Sequence, residues 1–216
     1  MKAIFTLCLL FSISTIAAAQ EHPKSEFYVG YSLLRTDSDS LDLLINNQPG
    51  SVRRHGSTLN GFNVSGGYSP TPWLGFIADV GGNYGTVDFS ASVPGVNATF
   101  GVRSNFHTLL FGPQIFVRGK SATFFARGLA GAAFINQSLN FANQRGEMSE
   151  TVFAAAAGAG ADIIFTDRIA WRIGQVDYIL TRFGDRKLLV NGQQLGSGSD
   201  TQHHFRFSTG FVFRNP

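Results

Sequence analysis

The sequence predicts an all-β chain: an eight-stranded antiparallel up-and-down transmembrane β-barrel, with short turns at one end and long loops at the other. Three observations predict it. Eight segments alternate apolar residues with small or polar ones at a period of two. Their connections alternate short and long without exception. Glycine (25 residues) and phenylalanine (21) are abundant, while charged residues make up 14% of the chain, against roughly 25% in soluble domains.

The first residues read as a secretory signal peptide over 1–19. Met1 and Lys2 give a short basic start, Ala3 to Ile16 an apolar core, and Ala17-Ala18-Ala19 a cleavage site before Gln20. Cys8 follows Leu7 rather than a small residue, which argues against lipid attachment. Cleavage is expected to leave 20–216 as the barrel domain, with no cysteine and so no disulfide. Without Lys2, 16 basic residues face 14 acidic ones. That balance gives no reason to expect a nucleic-acid partner.

Strands are expected at 27–35, 59–69, 73–85, 106–118, 122–136, 152–165, 169–183 and 203–214. In the second, Phe62, Val64 and Tyr68 alternate with Gly61, Asn63, Ser65 and Gly67. In the third, Leu74, Phe76, Ala78 and Val80 alternate with Gly75, Asp79 and Gly81. In the fourth, Leu109, Phe111, Ile115 and Val117 alternate with Thr108, Gly112, Gln114 and Arg118. The sixth, VFAAAAGAGADIIF, is shorter than the roughly 20 residues a membrane helix needs, and Gly158 and Gly160 weaken any helix. As a strand it sends Phe153, Ala155, Ala157, Ala159, Ala161 and Ile163 toward lipid, and Ala154, Ala156, Gly158, Gly160 and Asp162 toward the lumen. In the last, Phe205, Phe207, Phe211 and Phe213 alternate with His204, Arg206, Ser208 and Gly210.

Three connections are short: SPTPW, GKS and TDR. Four are long and polar: 36–58, 86–105, 137–150 and 184–202. Outer-membrane barrels have short periplasmic turns and long extracellular loops. Leu41, Leu43, Leu44 and Ile45 are expected to form an apolar tip or a short helix over the barrel mouth. Alternation alone does not say which face is inside, and a soluble lipocalin-like binder would turn the apolar face inward. The second face is small rather than rich in Lys and Glu, which suits a narrow filled lumen.

On these strands, on the loop asymmetry, and on segments such as FHTLLFGPQIFVR and QVDYILTRF, the chain resembles the small outer-membrane barrel family of OmpA and OmpX type, over 27–213. The resemblance implies a Gram-negative cell envelope, an outer-membrane lipid surround and a barrel-insertion machinery that reads the last strand. Arg206, Ser208, Phe211 and Phe213 occupy the places of that insertion signal. Ser208 stands where the family has glycine, and Arg214-Asn215-Pro216 follow the final aromatic residue.

The lumen charges carry the most information. Asp79, Arg118, Arg127, Asp162 and Arg172 all fall in the short-turn half by this register. Asp162 and Arg172 flank Asp167 by five residues on either side, so a regular hairpin sets them opposite each other. Arg127, on the neighbouring strand, is expected within reach of Asp162. If Arg172 faces the lumen, strict alternation sends Gln175 and Asp177 into lipid, where a carboxylate is costly. A β-bulge near Ile173-Gly174 is therefore expected to return Asp177 to the lumen. The charges form a structural ion-pair plug or, as the alternative, the gate of a narrow porin-like channel.

Trp73 and Trp171 beside short turns, with Tyr84 and Tyr178 toward the other end, read as aromatic girdles. A lipid A-modifying enzyme needs a serine, histidine and acid cluster. His107 has no serine two residues away on its face, Ser104 falls in a loop, and His203 and His204 point to opposite faces. No catalytic, metal-ligating or cofactor-binding residue is assigned. The long loops are candidates for an extracellular partner.

Overall fold

A computed structural model describes residues 22–37, 39–45, 48–93, 96–141, 144–183, 187–190, 193–197 and 201–215. The expected signal peptide lies outside the described residues. The strands are β1 (Ser25–Thr36), β2 (Asp39–Ile45), β3 (Gln48–Arg54), β4 (Thr58–Tyr68), β5 (Leu74–Val93), β6 (Val96–Arg118), β7 (Ala122–Phe141), β8 (Gln144–Ile164), β9 (Ile169–Arg182), β10 (Lys187–Val190), β11 (Gln193–Ser197) and β12 (Thr201–Asn215). Eight of them, β1, β4, β5, β6, β7, β8, β9 and β12, pair antiparallel with their neighbours, and the β5–β6 and β1–β12 ladders close the barrel.

The register fixes the barrel's dimensions. Hydrogen-bonded partners lead from Leu74 through Ile115, Ala126, Ala159, Val176, Phe207, Leu33 and Asn60 back to the starting strand at Tyr84, ten residues further on. A stagger of about 33 Å over eight strands spaced about 4.8 Å apart tilts the strands by about 41°. The backbone cylinder is then about 16 Å across, narrow enough for inward side chains to fill it. Trp73 and Tyr84 are separated by about 27 Å along the barrel axis at that tilt, which matches the roughly 25 Å apolar band of outer-membrane barrels.

The apolar face points out. Phe76, Leu109, Phe111, Val117, Phe205 and Phe211 are among the many large apolar side chains left exposed, while Asp79, Asp162 and Asp177 are buried. A continuous apolar exterior around a charged interior is the inverse of a soluble barrel. The soluble lipocalin-like arrangement is therefore excluded.

The short turns are closed by side-chain hydroxyls. Thr166 Oγ1 accepts from the backbone N–H of Arg168 at 3.3 Å and of Ile169 at 3.0 Å, and Thr71 Oγ1 accepts from Leu74 N–H at 3.1 Å. At the other end the structure corrects the expectation of irregular loops. β5 and β6 stay paired as far as Val93 and Val96, and β7 and β8 as far as Phe141 and Gln144. β2 and β3 form a hairpin whose second strand adds to the extension of β5, Ser51 opposite Ser92 and Arg54 opposite Phe89. β10 and β11 form another hairpin. The 39–45 segment is a strand, not a short helix.

The bulge falls where the charge conflict placed it. Ala161 pairs with Gly174 but Asp162 with Arg172, and Ser208 pairs with Gln175 but Gly210 with Arg172. One extra residue of β9 is accommodated at Ile173-Gly174, so Arg172, Gln175 and Asp177 all face inward. Thr209 Oγ1 donates to the Arg172 carbonyl at 2.9 Å. That bond satisfies a backbone acceptor where the ladder is interrupted.

Candidate functional site: the charged lumen

The barrel interior is stacked in layers. At mid-height, four charged side chains from four strands meet: Asp79 of β5, Arg127 of β7, Asp177 of β9 and Arg206 of β12. Arg206 Nη2 lies 2.7 Å from Asp79 Oδ1 and 3.0 Å from Asp177 Oδ2. Arg127 Nη1 lies 3.0 Å from Asp79 Oδ2, and its Nε and Nη2 donate to the two Asp177 oxygens at 2.8 and 2.6 Å. All four side chains are 0% exposed. Two arginines against two aspartates leave the layer neutral. Such burial is tolerated only where each charge is paired and its remaining lone pairs are met. Asn63 Nδ2 donates to Asp79 at 2.9 Å, Gln175 Nε2 to Asp177 at 2.8 Å, and Arg206 Nη1 to Thr108 Oγ1 at 3.3 Å.

Glycines make the meeting possible. Arg127, Gly158 and Asp177 lie along one line of register, and Asp177 pairs with Arg206 on the far side. With no side chain at Gly158, the Arg127 guanidinium passes over it. A Cβ there would sit 2.1 Å from Asp177 Oδ1, and one at Gly81 would sit 2.5 Å from an Arg206 nitrogen. Gly158 of the alanine-rich segment and Gly81 therefore supply space for the ion pairs rather than backbone freedom, while Gly160 makes room for the Phe125 ring.

A second layer lies toward the short-turn end. Arg172 Nε and Nη2 donate to Asp162 at 2.8 and 3.2 Å, and its Nη1 donates to Gln175 Oε1 at 2.7 Å. Its guanidinium carbon sits 4.4 Å from the Tyr28 ring centre and 4.2 Å from that of Phe125, a cation between two aromatic faces. At the short-turn mouth Arg118 Nη1 pairs with Glu26 at 2.7 Å, and Arg214 Nε lies 3.5 Å from the same carboxylate.

Toward the hairpin end apolar side chains enter the lumen beside buried Thr36, Ser104, Thr181 and His204. Leu34, Leu59, Phe106, Leu110, Leu129 and Ile179 pack into one buried cluster above the charges. The ion-pair network and this cluster together close the lumen.

Five of the six charges singled out in the sequence join one hydrogen-bonded network through Gln175, while Arg118 stands apart at the short-turn mouth on Glu26. Two further expectations are corrected. Arg127 reaches Asp79 and Asp177, not Asp162. Asp79 lies at mid-height rather than in the short-turn half. Arg206, Glu26 and Arg214 were missed as members of the network. Arg206 was noted only for the insertion signal; it and Ser208 face inward, and Phe211 and Phe213 face outward. Its inward position in the alternation was the available signal.

Trp73, Trp171, Tyr84 and Tyr178 are all on the exterior. Tyr84 Oη lies 3.0 Å from His107 Nε2, and Tyr178 Oη bonds His203 Nδ1. Ser104 is on β6 rather than in a loop, facing inward, opposite to His107. Ser104, Glu150 and His204 line one cavity of about 50 Å³ at the hairpin end. There His204 Nε2 lies 3.2 Å from Thr181 Oγ1, and the space is too small for a lipid chain. Among the described residues no group of three or more metal-ligating side chains is present.

An inverted barrel with an apolar exterior and a plugged charged lumen defines a small integral outer-membrane barrel. The comparisons agree: residues 5–213 match the outer membrane protein beta-barrel domain family, to which the chain belongs. No curated protein matches it by sequence. Among solved structures it is similar to Ail, the attachment invasion locus protein of Yersinia pestis, with a TM-score of 0.54, 15% identity, and coverage of 90% of this chain and 99% of that one. A second Ail structure, in complex with the heparin analogue sucrose octasulfate, gives 0.53 at 16% identity, covering 90% and 99%. The outer membrane protein OprG of Pseudomonas aeruginosa gives 0.54 at 13% identity, covering 90% and 97%. At these identities the likeness is one of fold.

Proposed function

We propose that the protein is a surface barrel of the OmpA and OmpX type, in which a rigid, closed membrane anchor displays the four hairpin regions to the outside of the cell. The supporting observation is the division of its ends. One end has turns of a few residues; at the other, β5–β6 continues nine residues beyond Tyr84 to Val93. In this reading the short turns are periplasmic and the 36–58, 86–105, 137–150 and 184–202 regions are extracellular. The segment 1–19 directs export, and the last strand, with Arg206, Ser208, Phe211 and Phe213, is read by the insertion machinery. The charges Asp79, Arg118, Arg127, Asp162, Arg172 and Asp177 act as a structural plug rather than a gate. The aromatic pairs Trp73 with Trp171 and Tyr84 with Tyr178 anchor the two interfaces. The extended hairpins supply the contact surface, and no side chain is assigned a catalytic role.

An epitope tag within 86–105 is expected to be stained on intact cells, and a tag in the Gly119–Ser121 turn only after permeabilisation. The reverse pattern would overturn the orientation and the surface role with it.

A further inference from the structure

Between the Arg172 layer and the wall formed by β1, β4, β5 and β6 lies a cavity of about 20 Å³. Three positions on this wall are small (Ser65, Gly67 and Gly75) and leave the space, which Tyr28 and Gln114 of the same wall and Arg172 of β9 enclose. Tyr28 and Gln114 are 1% and 2% exposed, yet Tyr28 Oη and Gln114 Oε1 have no hydrogen-bond partner in the protein. Two residues that line one cavity thus each carry an orphaned polar atom, which is unusual, because buried hydroxyls and carboxamides nearly always find partners.

We propose that this cavity is a built-in hydration site, holding water through Tyr28 Oη and Gln114 Oε1, with the Ser65 hydroxyl as a third partner. A buried water needs roughly 10–15 Å³ of such space and two to four polar partners, so the cavity holds one water. Tyr28 is fixed in place: its ring lies beneath the Arg172 guanidinium, and its hydroxyl lies over Gly30, where a Cβ would sit 2.1 Å away. The site divides the lumen functionally. Below the central ion pairs the interior is polar and wet, with Glu26 and Ser69 on the same cavity toward the short-turn mouth. Above them, Leu34, Leu110, Leu129 and Ile179 separate it from the cavity at the hairpin end. On the short-turn side the lumen is therefore a blind vestibule, closed above by the central ion pairs.

Tyr28→Phe gives the test a sign. It keeps the ring under Arg172 and removes only the hydroxyl. If the cavity is dry, deleting an unsatisfied polar atom leaves stability unchanged or raises it. If water is bound, the variant loses a bond to it and the urea midpoint in phospholipid vesicles falls. Gln114→Met is expected to lower the midpoint as well. Because both atoms hold the same water, the double variant is expected to lose less than the two singles combined. An unchanged or raised midpoint for Tyr28→Phe, or an additive double variant, would overturn the site. Should a variant fail to fold, nuclear magnetic resonance of the unmutated protein in nanodiscs decides. A cross-peak between water and the Tyr28 ring is expected, and its absence would overturn the site.

Discussion

Arg206→Met removes one of the two cations that join Asp79 to Asp177 across the lumen. The layer then holds two carboxylates and only Arg127, a net charge of −1 among side chains that are 0% exposed. Asp79 keeps Arg127 and Asn63, and Asp177 keeps Arg127 and Gln175, so neither is abandoned. Each nevertheless loses its Arg206 bond, at 2.7 and 3.1 Å respectively. Removing one partner of a buried pair costs roughly 3–5 kcal/mol. A loss of that size shifts the folding equilibrium by about two to three and a half decades. The assay is urea unfolding in phospholipid vesicles, followed by the fluorescence of Trp73 and Trp171 and by the mobility difference between unheated and boiled protein. A companion variant, Asp79→Asn, Arg127→Met, Asp177→Asn and Arg206→Met together, removes the charges as a set. It is expected to be far less destabilised than Arg206→Met alone, since neutral replacement of a complete buried network is often tolerated. A loss below about 1 kcal/mol for Arg206→Met, the size of a surface pair, would refute the reasoning. So would a fourfold variant less stable than the single one.

Other perturbations separate the parts of the account. Gly158→Ala places a methyl group 2.1 Å from Asp177 Oδ1 and is expected to destabilise by about 1–3 kcal/mol through overpacking. Ala159→Val, on the lipid face one residue away, is expected to be nearly neutral in the same unfolding assay. Deleting Ile173 removes the extra residue, so Arg172, Gln175 and Asp177 fall on one face by plain alternation. The expected outcome is a barrel that keeps its heat-modifiable band, whereas inserting an alanine after Leu180, which reverses the facing of the rest of β9, is expected to abolish it. Glu26→Gln leaves Arg118 and Arg214 without their shared carboxylate, but these side chains are 4–12% exposed. The expected destabilisation is smaller than that of Arg206→Met, again by urea midpoint.

The strands were legible because a period of two and a three-residue turn are local signals. The bulge was legible for a different reason: Arg172 and Asp177 are five residues apart, so one of them violates strict alternation, and only an extra residue spares both from lipid. The partner of Arg127 was not legible. Adjacent-strand reasoning pointed to Asp162, but the register sets Arg127 opposite Gly158, with Asp177 beyond it. Arg206 was missed because its bond to Asp79 spans 127 residues of sequence and exists only once the barrel closes. The hairpins were missed because polar segments were read as loops, although Val87 and Phe89 alternate with Asp88 and Ser90. Their period was present beneath a polar composition.

Current across a planar bilayer containing folded, heat-modifiable protein tests the closed lumen most directly. The buried ion pairs and the apolar cluster above them predict no conductance steps at either polarity. Steady steps that scale with the amount of folded protein would mean the lumen is open, and the charges would then be a gate rather than a plug.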